Sequence, residues 1–255
     1  MKNYSILENL PLDTGGIHKA FPLGSIDAYY GYYAYTPSVY YKNGPKYPLL
    51  LFLHGAGERG NSASDGNILD IVLRNGPPML IKKKIWTPKY PLVVISPQAH
   101  EGGWNGAKIH QFIKHIINNY EIDAQRIYIT GLSMGAYGTF NYLTSTGDSC
   151  YAAAAVAICG GGNPTKASAM KHIPVWAFHG DADGTVNIEN SISMIDAINK
   201  TNPPQKAKLT VYPGVGHNSW SMTYDGTGMG KESNLYDPFN IGIYEWMFLY
   251  ERNQF

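Results

Sequence analysis

Short apolar runs recur along the chain at 48–53, 92–96, 126–130, 151–158, 175–179 and 208–212, each the length of a strand and each separated from the next by a more polar stretch. Uninterrupted runs such as Pro48-Leu-Leu-Leu-Phe-Leu53 carry no alternation, which predicts strands buried on both faces of a parallel sheet. Between them the pattern changes period. Ile109, Phe112, Ile113, Ile116, Ile117 and Tyr120 follow i, i+3, i+4, i+7 spacing, so one apolar stripe runs down a helix, and a second such helix is predicted over 188–198. Strand and helix alternating in this way predict an α/β fold, a mostly parallel sheet with helices on both faces. Residues 17–41 differ: they alternate and are rich in tyrosine, which predicts antiparallel edge strands ahead of the parallel set. Sugar platforms also use tyrosine, but half-buried strand aromatics are the commoner cause of such a stretch.

With 255 residues, 44% of them hydrophobic and 15% charged, the chain suits a single domain spanning 1–255, with 1–16 as an N-terminal extension. No internal repeat or low-complexity linker divides it. A net charge of +1 and the lack of a basic stripe with interleaved aromatics imply neither a nucleic-acid partner nor an acidic membrane surface. Lys82-Lys83-Lys84 is the only basic run and fits a solvated helix end or loop. No apolar stretch is long enough to span a bilayer, so no membrane insertion is expected, and the N-terminus lacks the apolar core of a signal peptide. Low charge and abundant Tyr, Asn, Gly and Ser lean towards a secreted or periplasmic location with the leader absent from this chain, and otherwise a cytoplasmic one. Cys150 and Cys159 bracket the run 151–158; a strand of that length holds them roughly 30 Å apart, so no bond between them is expected.

Ligands of a parallel sheet gather at the carboxyl ends of its strands, which directs attention to the residues that follow each apolar run. After 126–130 comes Gly131-Leu132-Ser133-Met134-Gly135, a G-x-S-x-G pattern in which the glycines relieve a tight strand-to-helix turn and the serine is exposed at its apex. A helix from Met134 to Thr146 would aim its unpaired N–H groups at the site of developing negative charge. A serine hydroxyl needs a histidine to take its proton and a carboxylate to orient that histidine. Asp183 follows 175–179 and His217 follows 208–212, giving the chain order Ser133, Asp183, His217. Asp181 is the rival carboxylate; Asp183 is favoured. His54 and His179, also at strand ends, are expected to brace loops. No histidine pair has HExxH spacing, Asp181-Ala182-Asp183-Gly184 lacks the further ligands of a calcium loop, and so neither a metal nor any other cofactor is expected. Gly55, Gly57 and Gly60 formally match G-x-G-x-x-G, but the polar stretch after them offers no helix to receive a pyrophosphate. That loop serves instead to expose a backbone N–H, so Ala56 (or Gly57) and Met134 are the expected oxyanion donors.

The segments HGAGERG, GLSMGAYG, HGDADGTV and GVGHNSW, in this order, resemble the α/β-hydrolase superfamily, and within it the branch of phospholipase/carboxylesterase-like, feruloyl and acetyl-xylan esterase-like proteins, some labelled predicted peptidases. The resemblance runs from about Tyr29 to Trp246. It implies a serine esterase acting on small-molecule or polysaccharide-linked esters, with Ser133 as nucleophile, Asp183 as acid, His217 as base and the amides of Ala56 and Met134 as oxyanion hole. It also implies that Gln98 and Trp104, on the loop after the second apolar run, border the acyl pocket. Trp104, Trp220 and the tyrosines suit an aromatic or sugar-linked ester. Serine peptidase and non-catalytic binding protein on the same scaffold are the alternative functions. The glycine-rich stretch 220–238 departs from simple family members; it is expected to be an insertion at the active-site face, either a flap or a surface loop.

Overall fold

The seven residues of Tyr47–Leu53 are all buried, and in the computed structural model, which describes residues 5–252, this strand lies near the middle of an eight-stranded sheet. In chain order the strands are β1 (Ile17–Phe21), β2 (Tyr32–Thr36), β3 (Tyr47–Leu53), β4 (Val93–Pro97), β5 (Ile122–Leu132), β6 (Ala152–Ile158), β7 (Val175–Gly180) and β8 (Lys208–Tyr212). In space the order is β1-β2-β4-β3-β5-β6-β7-β8. β1 and β2 are antiparallel and β2 joins β4 antiparallel; every later pairing is parallel.

The helices are α1 (Ser5–Glu8), α2 (Gly76–Lys82), α3 (Gly106–Asn119), α4 (Met134–Thr146), α5 (Glu189–Lys200), α6 (Trp220–Tyr224) and α7 (Ile243–Met247). Because successive strand side chains point to opposite faces, β3 feeds two cores. Leu49, Leu51 and Leu53 pack with residues of α3, α4 and α5, whereas Leu50 and Phe52 pack with residues of α2, α6 and α7. Both faces are therefore apolar at every position, which is why the run shows no alternation. The buried Arg126 guanidinium at the start of the apolar part of β5 pairs with Asp123 at 2.8 Å and Glu251 at 2.5 Å, tying the C-terminal segment to the sheet.

Four local features go beyond what the apolar pattern predicts. Residues 22–31 form a loop between β1 and β2, so Tyr29 and Tyr30 lie outside the strands; Tyr30 and Tyr32 instead pack edge-on against Phe112 of α3. The stretch 66–74 is a 3-10 helix leading into α2, which opens with Gly76 at φ +64° and two prolines in its first turn, where the missing N–H groups cost nothing. Of the N-terminal extension, the described residues 5–16 include α1 and the buried Leu7, which joins the core under α2. Finally, 220–238 divides in two. Its first turn, α6, stands at the carboxyl end of the sheet, but the later part runs along β8, where Ser233 N–H donates to Val211 O and Asp237 N–H to Leu209 O, each at 2.8 Å. Asp237 also accepts the Leu209 N–H at 2.8 Å, so this part covers an edge strand, a task neither a flap nor a free surface loop performs. Cys150 and Cys159 sit at opposite ends of β6 as buried free thiols.

Candidate active site

At the end of β5 the chain turns into α4 through a single residue. Ser133 adopts φ 51°, ψ −118°, a region that side-chain-bearing residues rarely visit. The turn is clamped on every side: Ser133 N–H donates to Ile158 O of β6 at 2.8 Å, and Ser133 O accepts the N–H groups of Ala136 and Tyr137. A Cβ on Gly131 would lie 2.3 Å from Gly135 O, and one on Gly135 would lie 1.9 Å from Leu53 O, so the glycines permit the approach of α4 to β3 and β5.

The loops after β7 and β8 converge on this serine. Ser133 Oγ–H donates to His217 Nε2 at 3.0 Å, and His217 Nδ1–H donates to Asp183 Oδ2 at 2.7 Å. Asp181, the rival, faces elsewhere: its Oδ1 accepts Gly214 N–H at 2.6 Å and holds the β8 loop in place. The Asp183 side chain is fully buried and every acceptor position is used, since Oδ1 also takes the N–H groups of Thr185 and Val186 at 2.8 and 2.9 Å. Burial pushes its pKa up, but the hydrogen bonds from His217, Val186 and Thr185 outweigh that and hold it below the usual carboxylate value.

One contact had no clear sequence signal. His179, near the end of β7, reaches Asp183 Oδ2 with its Nε2 at 3.1 Å, beside the loop bracing expected of it. Three residues lie between the two, and only the backbone course of the loop brings them back together. Cys159 is also adjacent: at φ 47° it turns its thiol beneath the site, and burial pushes that thiol up to about 12. Among the described residues, Cys159, Asp183 and His217 bring ligand-type atoms within 4.8 Å of one another. A protonated thiol and a carboxylate already filled by N–H donors make this a hydrogen-bonded network and a poor metal centre.

The N–H groups of Ala56 and Met134 both stand at the first position of a helical turn, the 3-10 turn Ala56–Glu58 and α4, where no preceding turn supplies a carbonyl. His54 fixes the loop that carries Ala56. Its Nδ1 donates to Gly55 O at 2.6 Å and its Nε2 accepts Ala99 N–H at 3.0 Å, while burial lowers its pKa to about 4 and keeps it neutral.

The expected substrate contacts fare differently. Gln98 is 1% exposed; its Nε2 donates to Glu58 O and Ile68 O, which braces the loops, while its Oε1 is buried without a partner. Trp104 is largely buried and donates its indole N–H to His54 O at 3.0 Å, but one side lines a cavity of about 330 Å³ together with Met134, Tyr137, Asn141, Asn163 and Lys166. Trp220 stands edge-on to the His217 ring at 5.3 Å and donates to Asn75 Oδ1 at 3.1 Å, which places an aromatic wall beside the histidine.

The chain matches the family model described as phospholipase/carboxylesterase over residues 35–225. The bifunctional acetylxylan esterase/xylanase XynS20E of Neocallimastix patriciarum is 28% identical over 166 residues, 62% of this chain and 22% of that protein. Feruloyl esterase D of Neurospora crassa is 25% identical over 213 residues, 77% of this chain and 68% of that one. A solved thermostable esterase superposes with a TM-score of 0.67 at 27% identity, covering 97% of this chain and 64% of its own. The fold is shared with a variant of the feruloyl esterase module from Clostridium thermocellum complexed with sinapinate, at a TM-score of 0.62, 16% identity and coverage of 94% and 89%.

Proposed function

Since the chain belongs to the phospholipase/carboxylesterase family of hydrolases, we propose that it is a serine carboxylic-ester hydrolase acting on feruloyl or acetyl esters of plant polysaccharide. The observation that carries the reading is the hydrogen-bond series from Ser133 through His217 to Asp183, at 3.0 and 2.7 Å. His217 Nε2 takes the hydroxyl proton as Ser133 Oγ bonds to the ester carbon, and the Met134 and Ala56 amides hold the oxyanion, each such donor being worth about 10²- to 10³-fold in rate. The carbon–oxygen bond to the alcohol then breaks as His217 returns its proton to the leaving oxygen. Water repeats the sequence: His217 takes its proton, hydroxide oxygen bonds to the acyl carbon, and Ser133 leaves with a proton restored. Asp183 keeps Nδ1 protonated throughout and stabilises the transient imidazolium.

The saccharide-linked part of the reading is supported by the two curated relatives and by the aromatic surfaces of Trp220 and Trp104. Initial rates of the wild type and Ser133→Ala on methyl ferulate, acetylated xylan, p-nitrophenyl acetate and a peptide p-nitroanilide test it. Ferulate or acetyl-xylan turnover comparable with the simple acetate, and abolished by the substitution, is the expected result. Ser133-dependent turnover of p-nitrophenyl acetate alone reduces the reading to a general carboxylesterase, and anilide cleavage as the main activity replaces it with a peptidase.

A further inference from the structure

We infer that His179 is a positioning residue for the catalytic acid, a second imidazole that fixes and tempers the Asp183 oxygen on which His217 depends. This rests on the esterase reading and adds to it a residue that the Ser-His-Asp scheme does not use.

The protonation of His179 follows from its partners. Its Nε2 lies 3.0 Å from Val186 O, which can only accept, so Nε2 carries a hydrogen; that same hydrogen is shared with Asp183 Oδ2 at 3.1 Å. On the other side Nδ1 lies 2.8 Å from Ser191 Oγ, which in turn lies 2.7 Å from Gly160 O. The Ser191 hydroxyl donates to Gly160 O, and its oxygen faces Nδ1. Both ring nitrogens are thus engaged, the ring is fully buried, and α5 and the loop after β7 hold it from two sides, with Gly160 anchoring Ser191. Burial lowers its pKa, and the bonds to Val186 O and Asp183 oppose that shift.

Asp183 Oδ2 therefore accepts from two imidazoles at once, His217 at 2.7 Å and His179 at 3.1 Å. The second donor has two effects. It pins the oxygen, so the His217 ring cannot rock away from Ser133, and it draws off part of the negative charge that would otherwise stabilise a protonated His217. Other titratable groups facing the network add no charge: Cys159 from the end of β6 is held protonated by burial, and so is Tyr137 from α4, raised by burial and by Asp183.

Two substitutions separate positioning from mere packing. His179→Gln puts an amide N–H near the Nε2 position, and His179→Leu fills similar space with no donor. For His179→Leu we expect kcat to fall roughly 10- to 100-fold, the range seen when an orienting partner of a functional side chain is removed, with KM little changed. The acidic limb of the kcat/KM profile should move to higher pH, by up to about one unit, because the uncompensated carboxylate keeps the base protonated longer. His179→Gln should restore most of the rate and the position of the limb. Should the leucine variant not fold, His179→Asn, one methylene too short to reach Oδ2, replaces it against the glutamine variant. An unmoved acidic limb in the leucine or asparagine variant, or a glutamine variant as impaired as they are, overturns the role of His179. Turnover that survives Ser133→Ala overturns the esterase reading first, and this inference with it.

Discussion

At the scale of single residues, the site is a series of groups whose protonation is dictated by what they touch. Asp183→Asn keeps the shape but presents an N–H where His217 needs an acceptor, so the ring settles in the wrong tautomer; the expected loss is about 10⁴-fold in kcat, read from steady-state rates. Ser133→Ala or His217→Ala should cost on the order of 10⁶-fold, leaving what binding and the oxyanion amides provide. A stability consequence follows from the buried His54, whose folded pKa of about 4 is below the ordinary histidine value. Above about pH 6.5 both folded and unfolded states leave it neutral and its contribution is intact; as pH falls towards 4 only the unfolded chain takes the proton, so stability is lost across that window. His54→Gln should flatten the decline of Tm between pH 6.5 and 4, as measured by thermal melts. Ser133, Asp183 and His217 were legible in the sequence because each chemistry-bearing residue follows an apolar run, and strand ends are where such a sheet gathers its chemistry. The bonds of Gln98 to Glu58 and Ile68 and the contact of His179 with Asp183 were not legible, because side-chain direction inside a loop is set by hydrogen bonds that the local sequence does not encode.

Secondary-structure elements show the same division. The parallel strands and α3, α4 and α5 announced themselves through periodicity, since burying two faces or one stripe leaves a mark at every turn. α2 did not, because its first turn contains Gly76 and two prolines, residues that read as a break until the preceding 3-10 turn is seen to deliver them to a helix start. The β5–α4 junction depends on close backbone approach, and a test separates that from glycine content in general. Gly135→Ala would thrust a Cβ to 1.9 Å from Leu53 O, and should cost about 1–3 kcal/mol or more, a drop of several degrees in Tm. Gly57→Ala meets nothing within 4 Å and should leave Tm unchanged within about a degree. On β8 the covering segment makes its own prediction: Asp237→Ala removes the acceptor for Leu209 N–H, and should destabilise by about 1–3 kcal/mol and increase concentration-dependent association as the edge is laid open, both measurable by melting and light scattering.

For the molecule as a whole, the site assembles from loops after β3, β5, β7 and β8, so its geometry is only as firm as the sheet beneath. The proposed reaction draws on side chains and backbone amides alone, and prolonged dialysis against a chelator should leave the esterase rate unaltered. The turn that holds Ser133 has a further consequence. At φ 51°, ψ −118° the backbone sits where a side chain costs about 1–3 kcal/mol and glycine costs far less, so Ser133→Gly should melt higher than the wild type while losing nearly all turnover. The best-folded version of this chain is then an inert one. A directed-evolution campaign scored only on heat resistance would enrich that dead form, and must read out turnover at every round to keep the enzyme it set out to improve.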